Sequence, residues 1–293
     1  MTGQSDRTHD GTTSEPRLAR RLQRRFPELR VAPLRLLDVG FGSTVVETGD
    51  GIVFRIARHA RAAAGHDREW RLLPQLAGRL PVAVPEPAWR IDPDGEFLHG
   101  AIGHRKLPGE PVVAGGGTPE LAADVARFLR ALHDVRDVEC DSRALELEAL
   151  RAATRPALAD ALDAAELERI DRWWTDLSAD EELERFEPAL RHGDLWYENL
   201  LAAAGRLVAV LDWGGAAYAD AAEDFAALRH LGDAFANAVL DAYGADDALR
   251  YRERRHWELR ELYGIRLAIE LADEEELAAA VAKLRRGPIL RPQ

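Results

Sequence analysis

The sequence predicts an α+β fold in two parts: a small antiparallel-sheet part, then a larger and mainly helical one. Three observations predict it. Residues 31–57 hold three short runs rich in Val, Ile, Leu and Phe, namely VAPLRLLDVG, STVVETG and IVFRIA. Beyond residue 120 apolar residues recur at three- and four-residue spacing, the helical period. Between these regions lies LPGEPVVAGGGTPE, residues 107–120, whose prolines and glycine run mark a linker. The expected division is a disordered leader over 1–15, a sheet-rich part over 16–106 and a helical part over 107–293.

The elements follow in order. Residues 16–26 carry Leu18, Leu22 and Phe26 at helical spacing, with Ser14 as a cap. Gly49-Asp50-Gly51 separates the second and third strands as a hairpin turn. A helix is expected over 61–76, with Trp70, Leu73 and Leu76 or Ala77 on one face. PEPAWRID and FLHGAIGHRKL flank the turn Asp92-Pro93-Asp94-Gly95 as a further hairpin. Helices are expected over 122–135, 144–153 and 165–177, strand-like runs over 186–212, and helices again from Glu223 onward.

Composition narrows the function classes. At 46% hydrophobic and 31% charged residues, 293 residues suffice for a sizeable core. The formal net charge of −12 disfavours nucleic acid and anionic membrane, and attracts a cationic small molecule. Cys140 is the one cysteine, so no internal disulfide forms. No apolar run reaches the roughly 20 residues needed to span a bilayer, and the polar N-terminus lacks the apolar stretch of a secretion signal, so the cytoplasm is the expected location. The chain holds two lysines, Lys106 and Lys283, and arginine carries the rest of its fixed positive charge.

Chemistry concentrates in RHGDLWYENLL, residues 191–201, and LVAVLDWGG, residues 207–215. Asp194 precedes Asn199 by five positions, and Asp212 follows Asn199 by thirteen. Phosphoryl transfer asks little covalent work of a protein; it needs an aligned hydroxyl and cations that neutralise the phosphates. A carboxylate can accept the hydroxyl proton, and a carboxylate with an amide oxygen supplies hard ligands to Mg²⁺. Asp194 fits the first role; Asn199 and Asp212 fit the second. Short apolar runs flank both places, and Gly193, Gly214 and Gly215 allow tight backbone there.

On these residues the chain resembles the aminoglycoside phosphotransferase family, small-molecule antibiotic kinases with the two-lobed protein-kinase-like fold. The family shows His-Gly-Asp, an Asn five residues after the Asp, then Asp-Phe-Gly or Asp-Trp-Gly. The resemblance runs from about Leu36 to about Leu284 and is most specific in the catalytic loop. It implies that Asp194 is the catalytic base, that Asn199 and Asp212 hold magnesium, and that Asp224 in AYADAAEDFAAL braces the loop. It also makes residues 38–58 the nucleotide-covering hairpin, with Gly40 and Gly42 admitting phosphates and Ser43 and Thr44 offering donors. The family's phosphate-pairing lysine falls on Arg55 here, and its orienting glutamate on Glu69. That substitution is a departure, because arginine is bulkier and forks where lysine is a point charge. Residues 99–111 resemble the strap that meets the purine, which leaves ATP and GTP both open as donors.

The remaining candidates are weaker by type. His192 and His133 read as packed histidines, and adjacent Trp173 and Trp174 as core. Trp196 and Tyr197 stand either as acceptor flanks or as packing. In resembling enzymes, acids of the C-terminal helices line a pocket for polycationic sugars. Glu270 and Asp273 stand for that role or for a solvated face, Arg266 and Glu270 are spaced as a surface pair, and residues 274–276 read as solvated. The expected activity is γ-phosphoryl transfer from ATP or GTP to a hydroxyl, with an aminoglycoside, and hence antibiotic resistance, first in view. A macrolide, a nucleoside antibiotic, a sugar or amino alcohol, and a nucleotide-binding pseudoenzyme are the alternatives. Either a monomer or a homodimer is compatible.

Overall fold

The computed structural model describes residues 15–291, so the expected leader over 1–14 and the Ser14 cap lie outside the described residues. Glu15, assigned to that leader, instead opens helix α1 (Glu15–Arg25). Its carboxylate accepts the Leu36 N–H at 3.1 Å, a contact that composition does not disclose.

Two units emerge. The first comprises the described residues up to Gly109 together with Val208–Gly215; the second comprises Glu110–Leu207 and the described residues from Ala216 on. The returning segment Val208–Gly215 carries Asp212, so the first unit contains that carboxylate.

In the first unit, α1 leads into β1 (Arg35–Val39), β2 (Ser43–Glu47) and β3 (Ile52–Ala57), followed by α2 (Ala60–Leu76), β4 (Trp89–Ile91) and β5 (Ala101–Arg105). The strands form one antiparallel sheet in the order β1-β2-β3-β5-β4. Leu18 and Leu22 of α1 pack with Val46, Ile52, Phe54 and Ile91 in one apolar cluster. Burying such side chains contributes roughly 1.5–3 kcal/mol each. Both expected hairpins form. In the second, Asp94 accepts the N–H groups of Glu96 and Phe97, which keeps residues 97–100 out of the strand expected there.

Helix α2 departs from the expected face. Trp70 is only partly buried and Ala77 is an exposed cap; the buried residues are His66, Glu69, Leu72, Leu73 and Leu76. Hydrophobic periodicity could not find this face, because two of its buried members are polar. Pro74 sits within the helix at an exposed position.

The second unit begins with β6 (Glu110–Pro111) and α3 (Pro119–His133), whose first turn is capped by the Thr118 hydroxyl accepting from Leu121 N at 3.2 Å. Then come α4 (Leu147–Ala161) and α5 (Ala164–Ser178). The helix expected over 144–153 therefore starts and ends later, and Leu158 beyond Pro156 reaches the core. Asp163 and Glu166 make reciprocal hydrogen bonds that start α5. Next are β7 (Ala189–Arg191), β8 (Leu200–Ala203) and β9 (Arg206–Val210), which passes into the first unit at Val208. Strand β10 (Ala217–Ala219), too short to register in the sequence, pairs antiparallel with β7. Helices α6 (Ala222–Ala227), α7 (Asp233–Tyr243), α8 (Asp247–Glu270) and α9 (Glu274–Arg286) complete it. Trp174, Leu177, Leu259, Leu262, Ile265 and Leu284 lie in one core cluster, and Trp173 packs against it. Among the described residues no helix is long and apolar enough to cross a membrane.

Candidate functional site

Residues 192–199 leave β7 through Gly193, whose φ of 82° only glycine adopts readily. Asp224, wholly buried on α6, holds this backbone with both oxygens: Oδ2 accepts from His192 N at 2.8 Å and Oδ1 from Gly193 N at 2.7 Å. Asp194 N donates to His192 Nδ1 at 3.2 Å. The Asn199 amide nitrogen donates to the Asp194 carbonyl at 2.9 Å and reaches its Oδ2 at 3.4 Å. Asp194 itself is exposed. Burial pushes the Asp224 carboxyl up, but the hydrogen bond and charge of His133, with His192 and Arg191 adding theirs, hold it below the ordinary value. Asp224 is therefore an ionised brace for a loop that carries an exposed aspartate.

Trp196 and Tyr197 follow Asp194 in this loop. Their ring centroids lie 4.5 Å apart, and Trp196 meets the His230 ring edge-on at 3.9 Å. His230 in turn packs on Trp257 at 5.3 Å, and the Arg260 guanidinium sits over Trp257 at 4.5 Å. Burial, with the charges of Arg260 and Lys283, pushes the His230 imidazole down to about 3, so it packs as a neutral ring.

In the first unit, Arg55 on β3 divides its guanidinium between two carboxylates. One nitrogen lies 2.5 Å from Glu69 Oε1 and the other 2.8 Å from Asp212 Oδ1. Burial works against the Arg55 charge, and the carboxylates of Asp212 and Glu69 more than offset it, so the group is held above its ordinary value. Burial also pushes Glu69 up to about 7, with Arg55 pulling it down and Asp212 pushing it further up. The second Glu69 oxygen is buried without a hydrogen-bond partner, which follows from a fork shared rather than spent on one acid. Asp212 adopts a φ of 58°, a left-handed backbone unusual for a non-glycine residue and typical of functional turns. The turn Trp213–Gly215 follows, with Trp213 Nε1 donating to Val210 O at 3.0 Å.

The hairpin over 39–43 closes through Gly40 N donating to Ser43 O at 3.0 Å, and Arg58 donates to Gly40 O at 2.7 Å. Gly40 and Gly42 are partly exposed, as is Thr44. Ser43 behaves differently from its expected role. Its hydroxyl is buried, 3.0 Å from His66 Nε2, and so faces α2. Burial and the Arg55 charge push His66 down to about 3, and it is neutral there.

The two C-terminal acids have local partners. Asp273 caps α9 by accepting from Glu276 N at 3.0 Å, and Glu270 pairs with Arg266 at 3.1 Å, the surface pair their spacing predicts. Glu258 accepts from Trp173 Nε1 and Arg255, and Glu261 from Arg260.

Asp212 is 41% exposed in its side chain, and Asn199 turns its amide nitrogen to Asp194, so each offers hard oxygen. Among the described residues no group of three or more His, Cys, Asp or Glu side chains could hold a metal alone. Sequence reasoning missed His66, Tyr243, His230, Trp257 and Arg260, because their partners are distant in the chain and no spacing rule links them.

A model of the phosphotransferase enzyme family matches residues 33–261. The aminoglycoside 3'-phosphotransferase of Escherichia coli is 25% identical over 191 residues, 62% of this chain and 68% of that protein. Among solved structures, the GDP and kanamycin complex of APH(2")-IIia matches with a TM-score of 0.83 at 19% identity, covering 92% of this chain and 97% of that one. Macrolide 2'-phosphotransferase MphH from Brachybacterium faecium matches with a TM-score of 0.65 at 24% identity, covering 87% of this chain and 92% of that one. The likeness to the solved structures is one of fold, the kinase-like fold. With most of its length under the family model, the chain belongs to the phosphotransferase enzyme family.

Proposed function

We propose that this protein transfers the γ-phosphoryl group of ATP or GTP to a hydroxyl of an aminoglycoside, and so acts as an antibiotic kinase. The observation that carries the reading is the 192–199 loop, in which a buried carboxylate fixes two backbone amides so that Asp194 stands exposed at a defined place. Asp194 accepts the proton as the acceptor hydroxyl attacks phosphorus, and Asn199 orients it from the other side through the carbonyl bond. Gly40, Gly42 and Thr44 offer backbone to the phosphates, and Arg55, with Glu69 behind it, supplies fixed positive charge. When bound through Asn199 and Asp212, a Mg²⁺ ion would neutralise charge on the phosphates. Trp196 and Tyr197 flank the acceptor. Glu270, paired to Arg266, and Asp273, which caps α9, add negative charge for a cationic acceptor.

A second acceptor class, the macrolides, has one observation in its favour. The rings next to Asp194 in the chain are apolar and backed by His230 and Trp257, a surface suited to an uncharged ring system. The test is phosphoryl transfer from γ-labelled ATP and GTP, with Mg²⁺, to a panel of aminoglycosides, macrolides, nucleoside antibiotics and amino alcohols. Transfer to an aminoglycoside supports the first reading, transfer to macrolides alone replaces it with the second, and nucleotide binding without transfer to any acceptor overturns both. Asp194→Ala is expected to abolish turnover while keeping its fold and nucleotide affinity; transfer by that variant would remove Asp194 as the base.

A further inference from the structure

We infer that His133 and Tyr243 are positioning residues for phosphoryl transfer, acting through Asp224 on the backbone that carries Asp194. The inference rests on the proposed function. It arises from a line of contacts that the sequence scatters over residues 133–243. Tyr243, the last residue of α7, places its hydroxyl 3.0 Å from His133 Nδ1. His133, the last residue of α3, is buried and places Nε2 3.2 Å from Asp224 Oδ2. Asp224 then accepts from the amides of His192 and Gly193.

The contacts fix one proton along this line. Both Asp224 oxygens accept from backbone N–H groups, so the carboxylate has only acceptor capacity to offer His133. The 3.2 Å contact therefore requires the proton on Nε2. The other ring nitrogen, Nδ1, shares a hydrogen bond with the Tyr243 hydroxyl at 3.0 Å, so both ring nitrogens are held. Phe225, next to Asp224 on α6, meets the His133 ring at 5.9 Å and the Tyr243 ring at 4.8 Å, both edge-on, which restrains their rotation. Each link satisfies the next, so loss of one leaves a buried polar group without its partner and frees Asp224 to pivot. A pivot at Asp224 moves residues 192 and 193 directly, and Asp194 with them.

The experiment compares wild type with His133→Leu, His133→Gln and Tyr243→Phe. It measures kcat, both KM values and amide exchange at residues 192 and 193. His133→Leu is expected to lower kcat by about 10- to 100-fold with both KM values within about twofold, since misplacing a reacting group acts on the chemical step. His133→Gln, whose amide can still donate to Asp224, is expected to recover most of that loss. Tyr243→Phe, which removes one oxygen, falls between them. Exchange at residues 192 and 193 should rise in the same order while the rest of α3 stays protected. If His133→Leu does not fold, Tyr243→Phe carries the test alone. Wild-type kcat in folded variants, or a loss of kcat with no change in exchange at those two amides, overturns the inference. Should wild type transfer phosphate to no acceptor, the proposed function fails, and exchange alone then decides whether the line of contacts holds the loop.

Discussion

Arg55 makes its two contacts from two separate nitrogens, where a lysine would have to make both from one. Its fork spans Glu69 on α2 and Asp212 after β9, one nitrogen to each, whereas an ammonium presents a single charged atom. Arginine here therefore ties the carboxylate proposed for the cation to a fixed point of the sheet. Arg55→Lys is expected to keep the fold but release Asp212 or Glu69, lowering kcat/KM for the nucleotide by about 10- to 100-fold, the value of a charge-assisted hydrogen bond. Unchanged nucleotide kinetics in that variant would mean the second contact has no role in turnover. Arg55→Ala is harsher: it leaves the buried Glu69 without its cation and is expected to cost about 3–5 kcal/mol in denaturant unfolding.

At the scale of elements, α2 organises the first unit. Within one turn and a half it packs Gly65 against Gly214, sends His66 to Ser43, donates from Arg68 to Gly214 O and aims Glu69 at Arg55. Glycine at 65 and at 214 lets helix and turn approach within contact distance, since an added Cβ at either would lie 3.3–3.4 Å from the other's Cα. Strand β5 shows the same close packing. A Cβ at Gly103 would lie 2.7 Å from the ring of the fully buried Phe54, which stacks on Phe26. Gly103→Ala is expected to lower stability by about 1–3 kcal/mol through overpacking, read from the urea midpoint. A midpoint equal to wild type would show that Phe54 has room to move.

At the scale of the whole molecule, stability should decline in acid in two stages. His66 and His230 are held near 3 in the fold, chiefly by burial, against an ordinary value of 6.5. The unfolded chain takes up these protons first, so their contribution is complete above pH 6.5 and is lost as pH falls towards 3. Asp220 and Asp224 belong to the second stage. Burial raises them, but hydrogen bonds from His256 and His133 and nearby positive charge hold them below 3.8, so their contribution fails only under that value. Tm measured by calorimetry is expected to start falling near pH 6.5, and to fall less between pH 6.5 and 4.5 in His66→Gln and His230→Gln. Glu69, pushed up to about 7, works the other way over this interval by taking up its proton earlier in the fold, so the variants decide: a decline equal to wild type's in both would show that neither histidine is buried in its neutral form.

Much of the architecture and of the candidate site was legible in the residues alone. Strands and helices followed from periodicity and turn chemistry, and Asp194, Asn199 and Asp212 from hard oxygen donors at close spacing in glycine-flanked turns. Those signals are local, and local spacing is what a linear sequence displays directly. What only the tertiary structure decided was partnership at long range. Ser43 faces His66 instead of solvent, Arg55 holds two acids instead of one, and His133 leads from Tyr243 to the catalytic loop. Each is a polar contact inside the fold, where a buried group must find a partner wherever the chain brings one. No periodicity records that choice, because it is made by packing.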